Sequence, residues 1–207
     1  MSPRTLRIEI HPAKAARWPD LEALFGARGA CGGCWCQAWR KSKKEFDRDK
    51  GEANRKSLQA LVKKGREPGL VAYADNEAVG WVAVAPRADY PRLAASRILA
   101  PVDERPVWSV SCLFIRRGWR RKGISVELLK AAAEHAFAHG AEIVEGYPSD
   151  LKGGVLPDVF VWTGLLPAFK KAGFKEVARR SVTRPIVRRC RLDAGTLGRQ
   201  EAGRPGS

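Results

Sequence analysis

A chain of 207 residues is long enough to bury a sizeable core, and it suits a single domain. Its 38 lysines and arginines outnumber 22 acidic residues, and the formal charge of +16 favours polyanionic partners such as nucleic acid, a membrane face or a phosphorylated coenzyme. No apolar run reaches about eighteen residues, and the N-terminus lacks the apolar segment of a secretory signal. We therefore expect a soluble, cytoplasmic protein with no membrane partner.

The first half of the chain predicts one strand, two helices and a hairpin. Residues 6–10 alternate as in a strand, and residues 13–25 and 51–64 carry helical patterns that end at glycines. Two runs rich in valine and alanine, 69–74 and 78–85, are joined by a short polar connection. That arrangement predicts an antiparallel pair of strands.

The second half of the chain opens with a proline-punctuated excursion over 86–106. A β-branched and aromatic run at 108–115, a helix at 124–139 and an apolar run at 142–147 then form a β-α-β unit, whose two strands should be parallel.

The last predicted elements are a short helix at 163–172 and strands at 174–179 and 185–192. The polar, glycine-rich residues 193–207 are expected to be disordered. The order of elements predicts one mixed α/β domain over 1–192, with a sheet of about six to seven strands flanked by about four helices.

Three of the five cysteines cluster in the segment CGGCWC, at Cys31, Cys34 and Cys36. An odd number of cysteines in a cytoplasmic chain argues against a disulfide framework. A zinc site needs four ligands, so the cluster is one short unless a histidine or Cys112 joins it. We expect no metal, and instead a reduced thiol group that packs or faces substrate.

The strand at 108–115 runs into the basic segment RRGWRRKGIS, which opens the following helix. Gly123 lets the backbone turn freely, and Ser125 is small enough for a ligand to approach closely. The N–H groups of about residues 121–125 can then converge on a phosphate at the helix N-terminus, where Arg120, Arg121 and Lys122 add positive charge. The segment therefore predicts a phosphate-binding loop.

The order of elements, the segment LFIRRGWRRKGIS and the later FKKAGFKEV resemble the GNAT superfamily of acyl-CoA N-acyltransferases. That family's signature of Arg or Gln, two residues, Gly, one residue and Gly or Ala falls on Arg120, Gly123 and Ser125, where serine departs from the usual residue. The resemblance spans about residues 6–192 and implies acetyl-CoA as the acyl donor. The coenzyme-binding residues that it implies are Leu113, Phe114, Ile115, Arg120, Arg121, Lys122, Gly123, Ile124 and Ser125.

The resemblance carries over less directly to acid–base catalysis. The family's Asn and its Tyr seven residues later align with Trp162 and Phe169, and phenylalanine cannot protonate the leaving thiolate. Solvent, Tyr147 or a cysteine must then supply that proton. Glu145 is the candidate base that activates the amine, and the alternative is a carboxylate paired structurally with arginine.

The sequence therefore predicts an N-acetyltransferase that passes acetyl directly to an amine of a small molecule or peptide in a ternary complex. The alternative is a basic protein that associates with nucleic acid or ribosomes and binds the coenzyme weakly. Trp35 and Trp39 line the acceptor pocket or pack in the core. The identity of the acceptor and the oligomeric state, a dimer included, stay open, although the positive charge favours neutral or anionic acceptors and peptide amines.

Overall fold

The computed structural model describes residues 7–152, 154 and 161–191. Within them lie strands β1 (Ile8–Pro12), β2 (Gly69–Ala74), β3 (Glu77–Pro86), β4 (Trp108–Ile115), β5 (Ile143–Gly146), β6 (Lys175–Arg179) and β7 (Pro185–Cys190). The α-helices are α1 (Trp18–Phe25), α2 (Lys43–Arg48), α3 (Glu52–Lys63), α4 (Pro91–Ala94), α5 (Ile124–Ala138) and α6 (Leu166–Lys171). None of the described helices is long and apolar enough to span a bilayer.

The strands form one mixed sheet in the order β1-β2-β3-β4-β5-β7-β6. All neighbours are antiparallel except β4 and β5, which pair in parallel on either side of the α5 crossover. Asp75 and Asn76 turn the β2–β3 hairpin with φ of 49° and 62°, the left-handed values that a tight hairpin requires. The predicted mixed sheet, hairpin and parallel β-α-β unit are confirmed.

Helix α5 packs on one face of the sheet, over a glycine in β3. A Cβ at Gly80 would lie 3.0 Å from Leu128 and 3.2 Å from Ile124, both fully buried on α5. The missing side chain lets the helix lie close to the strands, and this packing fixes where the helix N-terminus stands relative to β4.

The opposite face is covered by α1, α3 and the cysteine-rich segment. Its core is aromatic: Phe25 packs edge-on against Trp35 and Trp81 at ring separations of 5.4 and 5.7 Å. Trp35 is 5% exposed and also stacks on Trp18. Of the two alternatives for Trp35, the structure supports core packing.

Strands β4 and β5 stay paired for only part of their length. Their last registered pair is Val110 with Gly146. The next residue, Ser111, has no partner in the β3–β4 register: Ala83 of β3 pairs with Cys112, and the residue after Ala83 pairs with Val110. A bulge of this kind bends a strand, and the two strands part beyond it.

Several element bounds differ from the predictions. Helix α1 begins at Trp18 after a 3₁₀ turn, because Pro19 suits a first turn and cannot continue a preceding helix. Helix α2 was missed, although Ser42 and Glu45 form a reciprocal capping box at its start. Residues 193–207, the predicted tail, lie outside the described residues.

Candidate active site

The loop between β4 and α5 is shaped by left-handed backbone at two positions. After a 3₁₀ turn at Arg117–Trp119, Arg121 has φ +62° and Gly123 has φ +81°. Gly123 is the N-cap of α5, so the helix begins with its first-turn N–H groups and the positive end of its dipole beside the basic loop. This is the arrangement that binds phosphate without a dedicated side chain.

A cleft of about 720 Å³ runs along β4 and ends at this loop. Eight of the nine predicted coenzyme residues line it: Leu113, Phe114, Ile115, Arg120, Arg121, Gly123, Ile124 and Ser125. The ninth, Lys122, lies outside the lining, with its ammonium 4.6 Å from the centre of the Trp119 ring. Trp119 itself lines the cleft, a contact that sequence reasoning missed.

The opposite wall of the cleft comes from the segment before α6. Trp162, Gly164 and Leu165 line it, and the carbonyl of Trp162 accepts a 2.7 Å hydrogen bond from the Leu113 N–H. On the same edge of β4, the carbonyl of Ile115 accepts from Arg120 Nε at 3.0 Å. The edge that β5 leaves uncovered thus carries backbone groups at the floor of the cleft.

A comparison with known families shows which family this chain belongs to. The model of the acetyltransferase (GNAT) family matches residues 35–147, more than half of the chain. The chain belongs to the GNAT acetyltransferase family. By class, it is an acyl-CoA-dependent N-acyltransferase.

Solved structures share the fold of this acetyltransferase. A GNAT-family acetyltransferase from Streptococcus agalactiae 2603 matches with a TM-score of 0.53 at 14% identity, over 89% of this chain and 95% of the other. AAC(6′)-Ib in complex with parmomycin and acetyl-CoA matches at 0.51 and 13% identity, over 95% and 99%. Aminoglycoside N-acetyltransferase AAC(6′)-Iy in complex with CoA matches at 0.50 and 16%, over 87% and 96%. No curated protein sequence matches the chain significantly.

The position of the family's tyrosine holds a buried phenylalanine in this acetyltransferase. Phe169 is fully buried, and its ring packs 5.1 Å from that of Phe174. A Cβ built on Gly146 would overlap the Phe169 ring, so the ring lies directly against the end of β5. The hydroxyl that the resemblance would place here is absent, as the sequence predicts.

The two predicted catalytic residues lie together in the interior, and neither lines the cleft. Glu145 is fully buried; one carboxylate oxygen accepts from Arg87 Nη1 at 2.9 Å and the other from Arg188 Nε at 2.8 Å. The Tyr147 hydroxyl donates to Glu145 at 2.7 Å and lies 2.8 Å from Ser109 Oγ. Burial is the main cause that raises the pKa of Tyr147, and the negative charge of Glu145 is the second.

This network ties the excursion between β3 and β4 to the sheet. Arg87 also donates to the carbonyls of Leu93 and Leu99, and Arg188 donates to both carboxylate oxygens of Asp103. Arg188 beside it holds the pKa of Asp103 well below its usual range. With every oxygen of the Glu145 carboxylate occupied by a cation, these contacts favour the structural alternative for that residue.

The cysteine-rich segment borders the cleft. Cys31 lines it, Cys36 is buried, and Cys36 Sγ lies 3.5 Å from Cys112 Sγ on β4. The Cys36 thiol, as a hydrogen-bond donor, lowers the pKa of Cys34 to about 6, whereas burial raises the pKa of Cys36 itself. All five cysteines are free thiols.

Proposed function

We propose that this acetyltransferase binds acetyl-CoA along β4 and transfers the acetyl group directly to an amine within a ternary complex. The observation that carries the proposal is the single cleft that joins the parted edge of β4 to the N-terminus of α5. The pantetheine arm would pair with the backbone of Leu113 and Ile115, as an added strand pairs with a sheet edge. The pyrophosphate would meet the N–H groups of residues 123–125 and the Arg121 side chain.

The reaction needs few protein groups. The lone pair of a neutral amine attacks the thioester carbonyl, a C–N bond forms, and the C–S bond breaks to release CoA. A thiol has a pKa of about 8.5, so its thiolate leaves near neutral pH without obligatory protonation by the enzyme. Solvent can take the amine proton, which fits the buried Phe169 and the enclosed Glu145.

The acceptor would approach between the cysteine-rich segment and the segment before α6. There the half-buried Trp39 lies 5.8 Å from Trp162, ring to ring, and Ala30 and Cys31 complete the cleft wall. Aromatic walls in a strongly basic protein favour an acceptor amine on an otherwise neutral or anionic molecule, and they disfavour a polycationic acceptor. The acceptor class is therefore an aromatic or apolar amine or a peptide N-terminus.

Calorimetric and thermal-shift titrations with acetyl-CoA test the coenzyme part of the proposal. Ligand at a hundred times its Kd stabilises a native protein by about 2.7 kcal/mol, which raises the melting temperature. Absence of any shift, together with salt-sensitive binding to RNA, would support a basic binding protein instead.

Turnover is measured by chromatography of CoA and acetylated product, because the five free thiols would react with a thiol-detecting reagent. Three acceptors are compared: an arylalkylamine, a short peptide with a free N-terminus, and spermidine. We expect the first two to be acetylated faster than spermidine. Faster turnover of spermidine would contradict the proposed acceptor class while leaving the coenzyme proposal intact.

A further inference from the structure

Two histidines and a glutamate meet at the end of α5 opposite the coenzyme cleft. His135 and His139 stand one helical turn apart, in the last turn and at the C-cap of α5. Glu67 reaches them from the segment before β2. The three donor atoms all lie within 4.8 Å of one another. Because α5 has 15 residues, this cluster lies about 20 Å from the N-terminus of the helix.

The distances between the glutamate oxygen and the histidine nitrogens suit joint coordination of a metal ion better than direct hydrogen bonds. Glu67 Oε2 lies 3.5 Å from His135 Nε2 and 3.7 Å from His139 Nε2. A good N–H···O bond spans about 2.7–3.2 Å, whereas ligands held about 2.1 Å from a tetrahedral zinc ion stand about 3.4 Å apart. The His135 ring is 9% exposed, and its Nε2 has no hydrogen-bond partner among the described residues.

The hydrogen bonds nearby leave the correct atoms free for a metal. His139 Nδ1 lies 2.7 Å from the backbone carbonyl of His135. A carbonyl only accepts, so Nδ1 carries the proton and Nε2 of the neutral ring presents its lone pair toward Glu67.

The surroundings complete the site. The Trp108 ring packs against both imidazoles, with ring centres 6.0 and 5.7 Å away, and restricts their rotation. Lys14 Nζ lies 3.1 Å from Glu67 Oε1, which leaves Oε2 for the histidines. A pocket of about 310 Å³ opens beside all three donors.

We propose that Glu67, His135 and His139 bind a divalent transition-metal ion, with zinc as the favoured ion and a fourth position open to the pocket. Two imidazoles and one carboxylate are a donor set that zinc takes in proteins, with water or a ligand as the fourth donor. Bound metal would tie the C-terminal end of α5 to the segment before β2. The site is separate from the coenzyme cleft and does not depend on the proposed acetyl transfer.

The chain's three histidines make the test specific. Protein labelled with ¹⁵N-histidine and stripped with EDTA is titrated with Zn²⁺, and the imidazole nitrogens are followed by NMR. We expect the Nε2 resonances of His135 and His139 to shift together and saturate at one equivalent, while His11, which lies outside the cluster, stays unchanged. Shifts that never saturate, or equal shifts of all three histidines, would overturn the proposal.

Two site variants, one control variant and one spectrum distinguish this site from the thiols. Glu67→Gln keeps the size of the side chain and should weaken zinc binding at least tenfold, as should His139→Ala; His11→Ala should leave it unchanged. Circular dichroism checks that each variant is folded. Bound Co²⁺ should show visible d–d bands without the intense near-ultraviolet charge-transfer band of thiolate ligation. A strong charge-transfer band at one equivalent, with Glu67→Gln binding as tightly as the parent protein, would assign the metal to the cysteines and refute the site.

Discussion

The amide of Leu113 donates a 2.7 Å hydrogen bond to the carbonyl of Trp162, across the gap where β4 and β5 have parted. The same gap is where the proposed pantetheine arm would pair with β4. The Leu113 N–H cannot form a full hydrogen bond to a coenzyme carbonyl and to the Trp162 carbonyl at the same time. Binding of the coenzyme should therefore shift the segment before α6.

Backbone NMR tests this exchange of acceptors. We expect acetyl-CoA to change the amide shift of Leu113 strongly, because its hydrogen-bond acceptor changes. The amide of Arg116, the residue directly after β4, is the internal control, since it donates to the Val79 carbonyl of β3 at 2.9 Å, on the edge that β3 covers. Saturating acetyl-CoA that perturbs Arg116 as much as Leu113, or perturbs neither, would argue against coenzyme pairing at this edge.

Two arginines of the basic loop form a matched pair for testing the phosphate contact. Arg121 lines the cleft, whereas Arg117 is exposed on the same loop and does not. We expect Arg121→Gln to weaken acetyl-CoA binding about tenfold, since a charge-assisted hydrogen bond contributes roughly 1.5–3 kcal/mol before solvent screening. Arg117→Gln should change the Kd less than twofold by calorimetry. Equal losses of acetyl-CoA affinity in both variants would mean that the loop acts only through its long-range positive charge.

The sequence predicted those parts of the fold that depend on local pattern. The β4–loop–α5 unit follows from a β-branched run, a glycine that permits left-handed backbone and a helical apolar face, all within 108–139. The capping box of α2 was also visible as Ser42 and Glu45, three residues apart, and was overlooked.

Contacts between segments that are far apart in the sequence could not be predicted from local sequence pattern. Alternation left open which face of β5 Glu145 takes, and only the β5–β7 register, which pairs it with Arg188, decides that it is enclosed. The same holds for Cys36 and Cys112, which are 76 positions apart, and for Glu67 beside the α5 histidines. Tertiary packing, which no local pattern specifies, determines all three.

The enclosure of Glu145 predicts a stability defect on substitution. Glu145→Gln leaves two arginines facing an uncharged group in the interior, and removal of one partner from a buried ion pair costs about 3–5 kcal/mol. Tyr147→Phe removes one hydroxyl and should cost about 1 kcal/mol. Urea unfolding measures both, and Asp47→Asn, which breaks an exposed pair with Lys43, should leave the midpoint unchanged.

The pH–rate profile separates structure from catalysis for the same residues. If Glu145 accepts the amine proton, Glu145→Gln should shift the acidic limb of kcat/KM measured on the folded fraction. The contacts in the structure lead us to expect an unshifted limb and a kcat for Tyr147→Phe within about twofold of the parent. A shifted limb would restore the base assignment made from the sequence.

Cys34 should be the most reactive thiol at neutral pH. Its pKa is lowered to about 6, chiefly because the Cys36 thiol donates a hydrogen bond to it, so the nucleophilic thiolate forms as the pH rises through about 6. Burial raises the pKa of Cys31, which therefore stays protonated to higher pH. Iodoacetamide labelling followed by peptide mass spectrometry from pH 5 to 9 should show Cys34 modified first, with a midpoint near 6.

The variant Cys36→Ala identifies the cause of that reactivity. Without the donor thiol, the labelling midpoint of Cys34 should move up toward the ordinary cysteine range of about 8.5, and labelling at pH 7 should slow accordingly. Cys112→Ala is the matched control, because it also contacts Cys36 but is not among the groups that lower the Cys34 pKa. An unchanged midpoint in Cys36→Ala would mean that the Cys34 thiolate is stabilised by the backbone of the segment instead. An equal shift in Cys112→Ala would mean that the packing of the thiols, and not the Cys36 donor itself, sets the midpoint. Since Cys31 of the same segment lines the cleft, saturating acetyl-CoA should slow Cys31 labelling and leave the Cys34 midpoint in place.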